Sequence, residues 1–257
     1  MTAKTPSKAK TLPSSDEGKK YLVVVDGNPT ELYSAGMILQ RLEYSILTAA
    51  SAEDGLRFLD IARPSAIITE LLLPKMSGMD LLNRVKLDPA TKAIPVIVLT
   101  RLKDPKVEEL CMVAGCAAFL RKPVDPHTLY RSIQYAVEAT PRYYIRLKTC
   151  LRVVIDEARQ GAAASSEYVT ALSENGIYIR TFRPRKVNAR IPLTLFIAGR
   201  RIQLRAVVLY CVMGASGPLK EPGMGMKFIE IAEEDRAFIR KFVKDEITKD
   251  LVAEEQE

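Results

Sequence analysis

Between residues 21 and 139, short apolar runs alternate with segments of helical spacing five times over. That alternation constrains the fold more tightly than anything else in the sequence. The runs are YLVVVD from Tyr21, SILTAA from Ser45, SAIITELLL from Ser65, PVIVLTRL from Pro95 and AAFLRKP from Ala117. After them come TELYSAGMILQRLEY, SAEDGLRFLDIARP, SGMDLLNRVKLDP, DPKVEELCMVAG and DPHTLYRSIQYAVEA. Ser51 with Asp54 opens the second of these helices and Pro64 stops it; Asp104 and Pro105 open the fourth and Gly115 closes it. Five such pairs make an open, doubly wound parallel sheet, an α/β (βα)5 architecture whose ligand crevice lies at the carboxyl ends of the strands.

That rule places Asp26, Glu70, Thr100 and Lys122 around one crevice, a set of acids, a hydroxyl and an ammonium suited to a phosphoryl group or a metal. VVVDGNP, TELLLPKMSG, VIVLTR and FLRKPVD, in this order, resemble the response-regulator receiver family, and the resemblance spans a domain at residues 20–139. It implies an aspartate at the position of Glu70 that accepts a phosphoryl group, two acids after the first strand that hold Mg²⁺, a Thr that reads the phosphoryl group and a Lys that neutralises it. Asp26, Thr100 and Lys122 match, whereas Gly27 stands where the second acid is expected. Loss of that acid removes a Mg²⁺ ligand and leaves a phosphoryl donor poorly neutralised. The extra methylene of Glu70 also shifts the attacking oxygens, and errors of about 1 Å cost on the order of 100-fold in rate. The sequence therefore predicts a receiver fold without phosphorylation and without Mg²⁺. Two readings of Glu70 stay open: an ion pair with Lys122 that stands in permanently for phosphate, or a solvated carboxylate at a strand end.

The last helix of this half carries Leu129, Ile133 and Ala136 on one stripe, with Tyr130, Arg131 and Gln134 elsewhere. The receiver resemblance implies a homodimer through this face; packing of the stripe on the sheet accounts for it equally.

After Ala139 the pattern changes to several short antiparallel strands with turn signals at Glu174-Asn175-Gly176 and Gly199-Arg200, then a terminal amphipathic helix, AEEDRAFIRKFVKDEI. A small β-barrel covered by that helix is expected over residues 140–250. Before its first strand, Arg142 and Arg146 sit four apart beside Tyr143 and Tyr144, offering guanidinium forks for phosphate and ring faces for bases. With LSENG after the next strand and GMGMKF before the terminal helix, this stretch resembles the PilZ domain. The resemblance implies a cyclic di-GMP receptor in which Arg142, Arg146, Ser173 and Gly176 hold the nucleotide. Ala171 replaces the family's acid or amide, which leaves a guanine donor unpaired at a cost of roughly 1–3 kcal/mol.

Composition closes off several other classes. The chain has 257 residues, 47% of them hydrophobic and 27% charged, and no apolar run of membrane-spanning length. No secretory signal precedes the first strand, so a cytoplasmic protein is expected. Residues 1–19 read as a disordered leader and 251–257 as an acidic tail. Cys111, Cys116, Cys150 and Cys211 lack CxxC spacing and read as reduced core residues rather than a metal site. No catalytic set of nucleophile, base and orienter is visible, so the chain reads as a non-enzymatic effector whose first half docks proteins. A scaffold with both ligands lost, in motility or polarity, is the alternative. The net charge of +7 and the basic FRPRKVNAR at 182–190 raise a third, less favoured option, DNA binding, although no helix-turn-helix is present.

Overall fold

A computed structural model describes residues 20–61, 63–155, 165–213 and 221–251. The leader at 1–19 and residues 252–257 of the acidic tail lie outside the described residues. The first half contains β1 (Tyr21–Val25), α1 (Pro29–Arg41), β2 (Ser45–Ala49), α2 (Ala52–Ile61), β3 (Ala66–Thr69), α3 (Gly78–Leu87), β4 (Val96–Thr100), α4 (Pro105–Val113), β5 (Ala118–Arg121) and α5 (Pro126–Val137). Its parallel sheet has the order β2-β1-β3-β4-β5. β1, β3 and β4 are almost wholly buried, as expected for strands covered by helices on both faces. One face packs on α1 and α5 through Leu39, Leu129 and Ile133; the other packs on α2, α3 and α4 through Ala52, Leu81, Leu82 and Cys111.

Helix starts follow their caps. Asn28 accepts from the Thr30 and Glu31 amides, Ser77 and Asp80 form a reciprocal capping box, and Asp104 accepts from the Lys106 amide ahead of Pro105. At the end of α4, Gly115 takes a φ of +89°, a value that favours glycine. The strand expected over SAIITELLL ends at Thr69 instead. The Glu70 carboxylate accepts from the Leu71 and Leu72 amides, so the chain turns there and Leu72 emerges into solvent.

The second half contains β6 (Leu147–Ile155), β7 (Ser165–Ser173), β8 (Gly176–Arg180), β9 (Arg190–Ile197), β10 (Arg200–Val212), β11 (Gly223–Glu230) and α6 (Glu233–Thr248). All pairs are antiparallel and the barrel closes in the order β10-β11-β8-β7-β6-β9. The β9–β10 turn is Ala198-Gly199, one residue earlier than the sequence indicated, with both residues at positive φ as a two-residue hairpin of this hand requires. Cys111 and Cys116 are buried, but Cys150 is exposed and Cys211 half-buried, which corrects the expectation of four core cysteines.

The two halves share packing. A single core cluster includes Leu22 and Ile133 of the first half, Tyr44 and Ile145, and Ile155, Ile239 and Ile247 of the barrel and α6. α6 meets α5, where Lys244 pairs with Asp125 at 2.8 Å, and α1, where Arg41 donates to the Ile247 carbonyl at 2.9 Å and to that of Lys249. This explains why Tyr130 and Gln134, read from the sequence as lying off the buried stripe of α5, are buried as well. Gln134 donates to the Tyr44 hydroxyl at 2.8 Å and accepts from the Arg142 amide at 2.9 Å.

Candidate functional site

Asp26, Glu70 and Lys122 each follow directly on a strand, β1, β3 and β5, and Thr100 ends β4. These strands are neighbours in the sheet, so their ends bring the four side chains together. Lys122 donates to Asp26 and, at 3.0 Å, to Oε2 of Glu70; the Thr100 hydroxyl donates to Oε1. The same Oε1 accepts from the Leu71 amide at 2.7 Å, and Asp26 Oδ1 accepts from the Asn28 amide at 2.9 Å. Glu70 is only 7% exposed, which removes the solvated reading.

Burial pushes the Glu70 carboxyl up, but Thr100, Lys122 and the Leu71 amide outweigh it and hold the group below the ordinary glutamate value. Burial likewise pushes Lys122 down, and its bonds to Asp26 and Glu70 reverse that and hold it above the ordinary lysine value. Two further residues reach the rim. Glu31 of α1 lies 3.8 Å from Lys122 and pairs with Arg101. Sequence reading passed over both, because an acid in a helix's first turn reads as a response to the helix dipole. Gly27 contributes no ligand, and a Cβ there would press on Pro74 at 3.1 Å. The crevice is therefore closed on itself: the hydroxyl and ammonium available to an anion are already engaged by a carboxylate of the same chain.

The second candidate site lies at the junction of the halves. Arg142 and Arg146 are both exposed on the arm between α5 and β6, with Ile145 buried between them. Arg142 shares a side-chain hydrogen bond with Tyr130. Ser173 and Gly176 face each other across the two-residue hairpin Glu174-Asn175, where the Ser173 hydroxyl donates to the Gly176 carbonyl at 3.0 Å. A Cβ on Gly176 would collide with the Met226 carbonyl, so strand packing alone requires glycine there. Ala171 is buried in β7. α6 holds the hairpin through Arg240 to Glu174 at 2.6 Å and Arg236 to Asn175 Oδ1 at 2.5 Å.

Arm and hairpin meet at a cleft of about 430 Å³ lined by Tyr143 and Tyr144 of the arm, Glu174 of the hairpin, His127 of α5, and Arg240 and Lys244 of α6. The residues read from the sequence, Arg142, Arg146, Ser173 and Gly176, flank those that line it. Tyr143 and Tyr144 do not offer open ring faces. They pack edge to face with each other, Tyr143 packs edge-on against His127, and the Arg131 guanidinium covers Tyr143 at 4.3 Å. The lining residues on α5 and α6 escaped sequence reading because only the tertiary fold brings those helices to the arm.

Residues 22–134 match the family described as response regulator receiver domain. Protein PilH of Pseudomonas aeruginosa is 29% identical over 113 residues, 44% of this chain and 93% of that protein. The two-component response regulator ORR3 of Oryza sativa subsp. japonica is 32% identical over 123 residues, 48% of this chain and 92% of that protein. The chain belongs to the response regulator receiver family. A receiver domain crystal structure from Clostridium thermocellum matches with 32% identity and a TM-score of 0.43, covering 46% of this chain and 94% of that one. The receiver match ends at residue 134, before the barrel begins. Among the described residues, no helix is long and apolar enough to cross a membrane.

Proposed function

We propose that this receiver protein is a non-enzymatic signalling effector: the barrel takes cyclic di-GMP in the manner of a PilZ domain, and the receiver half, held in one state by Glu70, docks another protein. The observation that carries the nucleotide reading is the meeting of the Arg142–Arg146 arm and the Ser173–Gly176 hairpin at one cleft. Exposed guanidinium groups flanking such a cleft suit, through charge-assisted bonds, a ring that holds two phosphodiesters, and those bonds offset the missing partner at Ala171. A nucleotide that draws arm and hairpin together also acts on α6, which is bonded to the hairpin at one side and to α5 at the other. The ligand then shifts the arrangement of the halves only to the extent that it binds one arrangement more tightly.

Glu70 supports the second element of the proposal. Its carboxylate takes the Thr100 hydroxyl and the Lys122 ammonium, so the receiver needs no phosphoryl group to engage them. The residues present do not fit Mg²⁺, which requires a near-octahedral shell of oxygens. Gly27 stands where a second acid would be needed, and the Lys122 ammonium sits between the two carboxylates that remain.

Titration calorimetry with cyclic di-GMP tests the nucleotide reading. The wild type binds in the micromolar range or tighter, and Arg142→Ala weakens binding by about 10- to 100-fold, as expected for loss of a charge-assisted contact. Absence of heat with the wild type removes the receptor reading and leaves the ligand-free scaffold. Incubation with acetyl phosphate and Mg²⁺, followed by intact mass, leaves the receiver unmodified; a stable adduct of one phosphoryl group contradicts the fixed state.

A further inference from the structure

β8 and β9 are not neighbours in the barrel, and the segment joining them crosses the ends of β11 and β10. It does so along residues 181–189: the Arg185 amide reaches the Met224 sulfur at 3.5 Å, Cys211 Sγ donates to the Arg185 carbonyl at 3.1 Å, and the Asn188 amide donates to the Val208 carbonyl at 2.8 Å. The antiparallel order places this crossing at the barrel end opposite the Glu174-Asn175 hairpin, the Ala198-Gly199 turn and α6, and so away from the receiver.

Large apolar side chains gather at that end and face water. Phe182 is 81% exposed, Met213 70%, Leu209 52% and Val187 51%. Their backbones are brought together: Thr181 bonds to Pro222, Val212 pairs with Gly223, and Asn188 bonds to Val208, so the four are chain neighbours of residues joined across adjacent strands. Leu209 is the residue displaced by the bulge between Val208 and Tyr210. The segment that crosses this end is basic. Residues 180–190 carry five arginine or lysine side chains and no carboxylate, and Arg180, Arg183, Lys186 and Arg190 are exposed. The nearby acids, Glu167 and Glu221, accept hydrogen bonds from Thr181 and Thr170.

We infer that this end of the barrel is a peripheral docking surface for an anionic lipid bilayer. An exposed phenylalanine with three aliphatic neighbours inserts into the boundary of headgroup and acyl chain, while the cations answer anionic headgroups. The apolar half of the patch decides between anionic partners. A nucleic-acid duplex satisfies the cations but offers nothing to Leu209, Val187 and Met213, whereas a bilayer satisfies both. The surface lies far from the cleft at Tyr143 and Glu174, so it stands independently of the cyclic di-GMP reading.

The test is co-sedimentation of the full chain with phosphatidylcholine vesicles, with and without about one-third phosphatidylglycerol. The wild type partitions onto the phosphatidylglycerol vesicles and not the neutral ones. Arg183→Ala combined with Lys186→Ala weakens partitioning about 25-fold, from roughly fivefold per cation. Phe182→Ser weakens it about tenfold, from loss of inserted apolar area. Both variants change exposed positions, and melting curves matching the wild type establish that they fold. The inference is overturned by no wild-type partitioning onto anionic vesicles, by equal partitioning onto neutral ones, or by unchanged partitioning of Phe182→Ser. Salt-sensitive retention on duplex DNA without vesicle binding overturns it in favour of a nucleic-acid surface.

Discussion

Lys122 governs the receiver crevice, because one ammonium pairs with both Asp26 and Glu70 where almost no solvent reaches. Replacing it by Met leaves two facing carboxylates without a cation, and breaking a buried pair in this way costs about 3–5 kcal/mol. Urea unfolding of Lys122→Met should show a loss of that size. The pH dependence has two limbs. Glu70 lies below its ordinary value, so its contribution is present above about pH 4.3 and is lost as pH falls through the folded value. Lys122 lies above its own, so its contribution is present below about pH 10.4 and is lost as pH rises through the folded value. Glu70→Gln removes the first limb: the stability difference between wild type and variant should shrink as pH drops from 6 toward about 3. Asp26, Thr100 and Lys122 were legible in the sequence because parallel strands deliver their last residues to one edge. The commitment of Glu70 to Thr100 and two backbone amides was not, since the register of a carboxylate against a turn depends on where the strand stops.

At the scale of elements, the hairpin between β7 and β8 shows how packing and function compete for the same residues. Gly176 reads as part of a ligand motif, yet the Met226 carbonyl excludes any side chain at that position. Gly176→Ala should cost about 1–3 kcal/mol through overpacking, visible as a lowered melting temperature before any ligand is added. A loss of nucleotide affinity in that variant therefore says little about contact; Arg142→Ala is the cleaner probe. Alternation of strand and helix made the five-stranded sheet legible, and turn residues marked the hairpins to within one position. Closure of the barrel was less so. The order β10-β11-β8-β7-β6-β9 depends on β9 crossing to β6, a non-local pairing that no short stretch of sequence announces.

For the whole molecule, α6 is the element that joins the halves. It caps the barrel through Ile239, bonds the hairpin through Arg236 and Arg240, and reaches the receiver through Lys244 and the Arg41 contacts at its C-terminal end. Arg41→Ala removes acceptor contacts at Ile247 and Lys249 together with the pair to Asp250. Hydrogen exchange should then quicken over the last turn of α6 while β1 stays protected, because β1 lies between β2 and β3 and owes nothing to the clasp. Equal quickening in both would mean that the halves open as one unit.

The ring of six strands has a consequence for behaviour at high concentration. A ring has no outermost strand: among the described residues every barrel strand pairs on both sides over at least part of its length, and strands unpaired along one whole side are where fibrils and strand exchange begin. Among the described residues, the strands left without a partner along one whole side are β2 and β5 of the receiver.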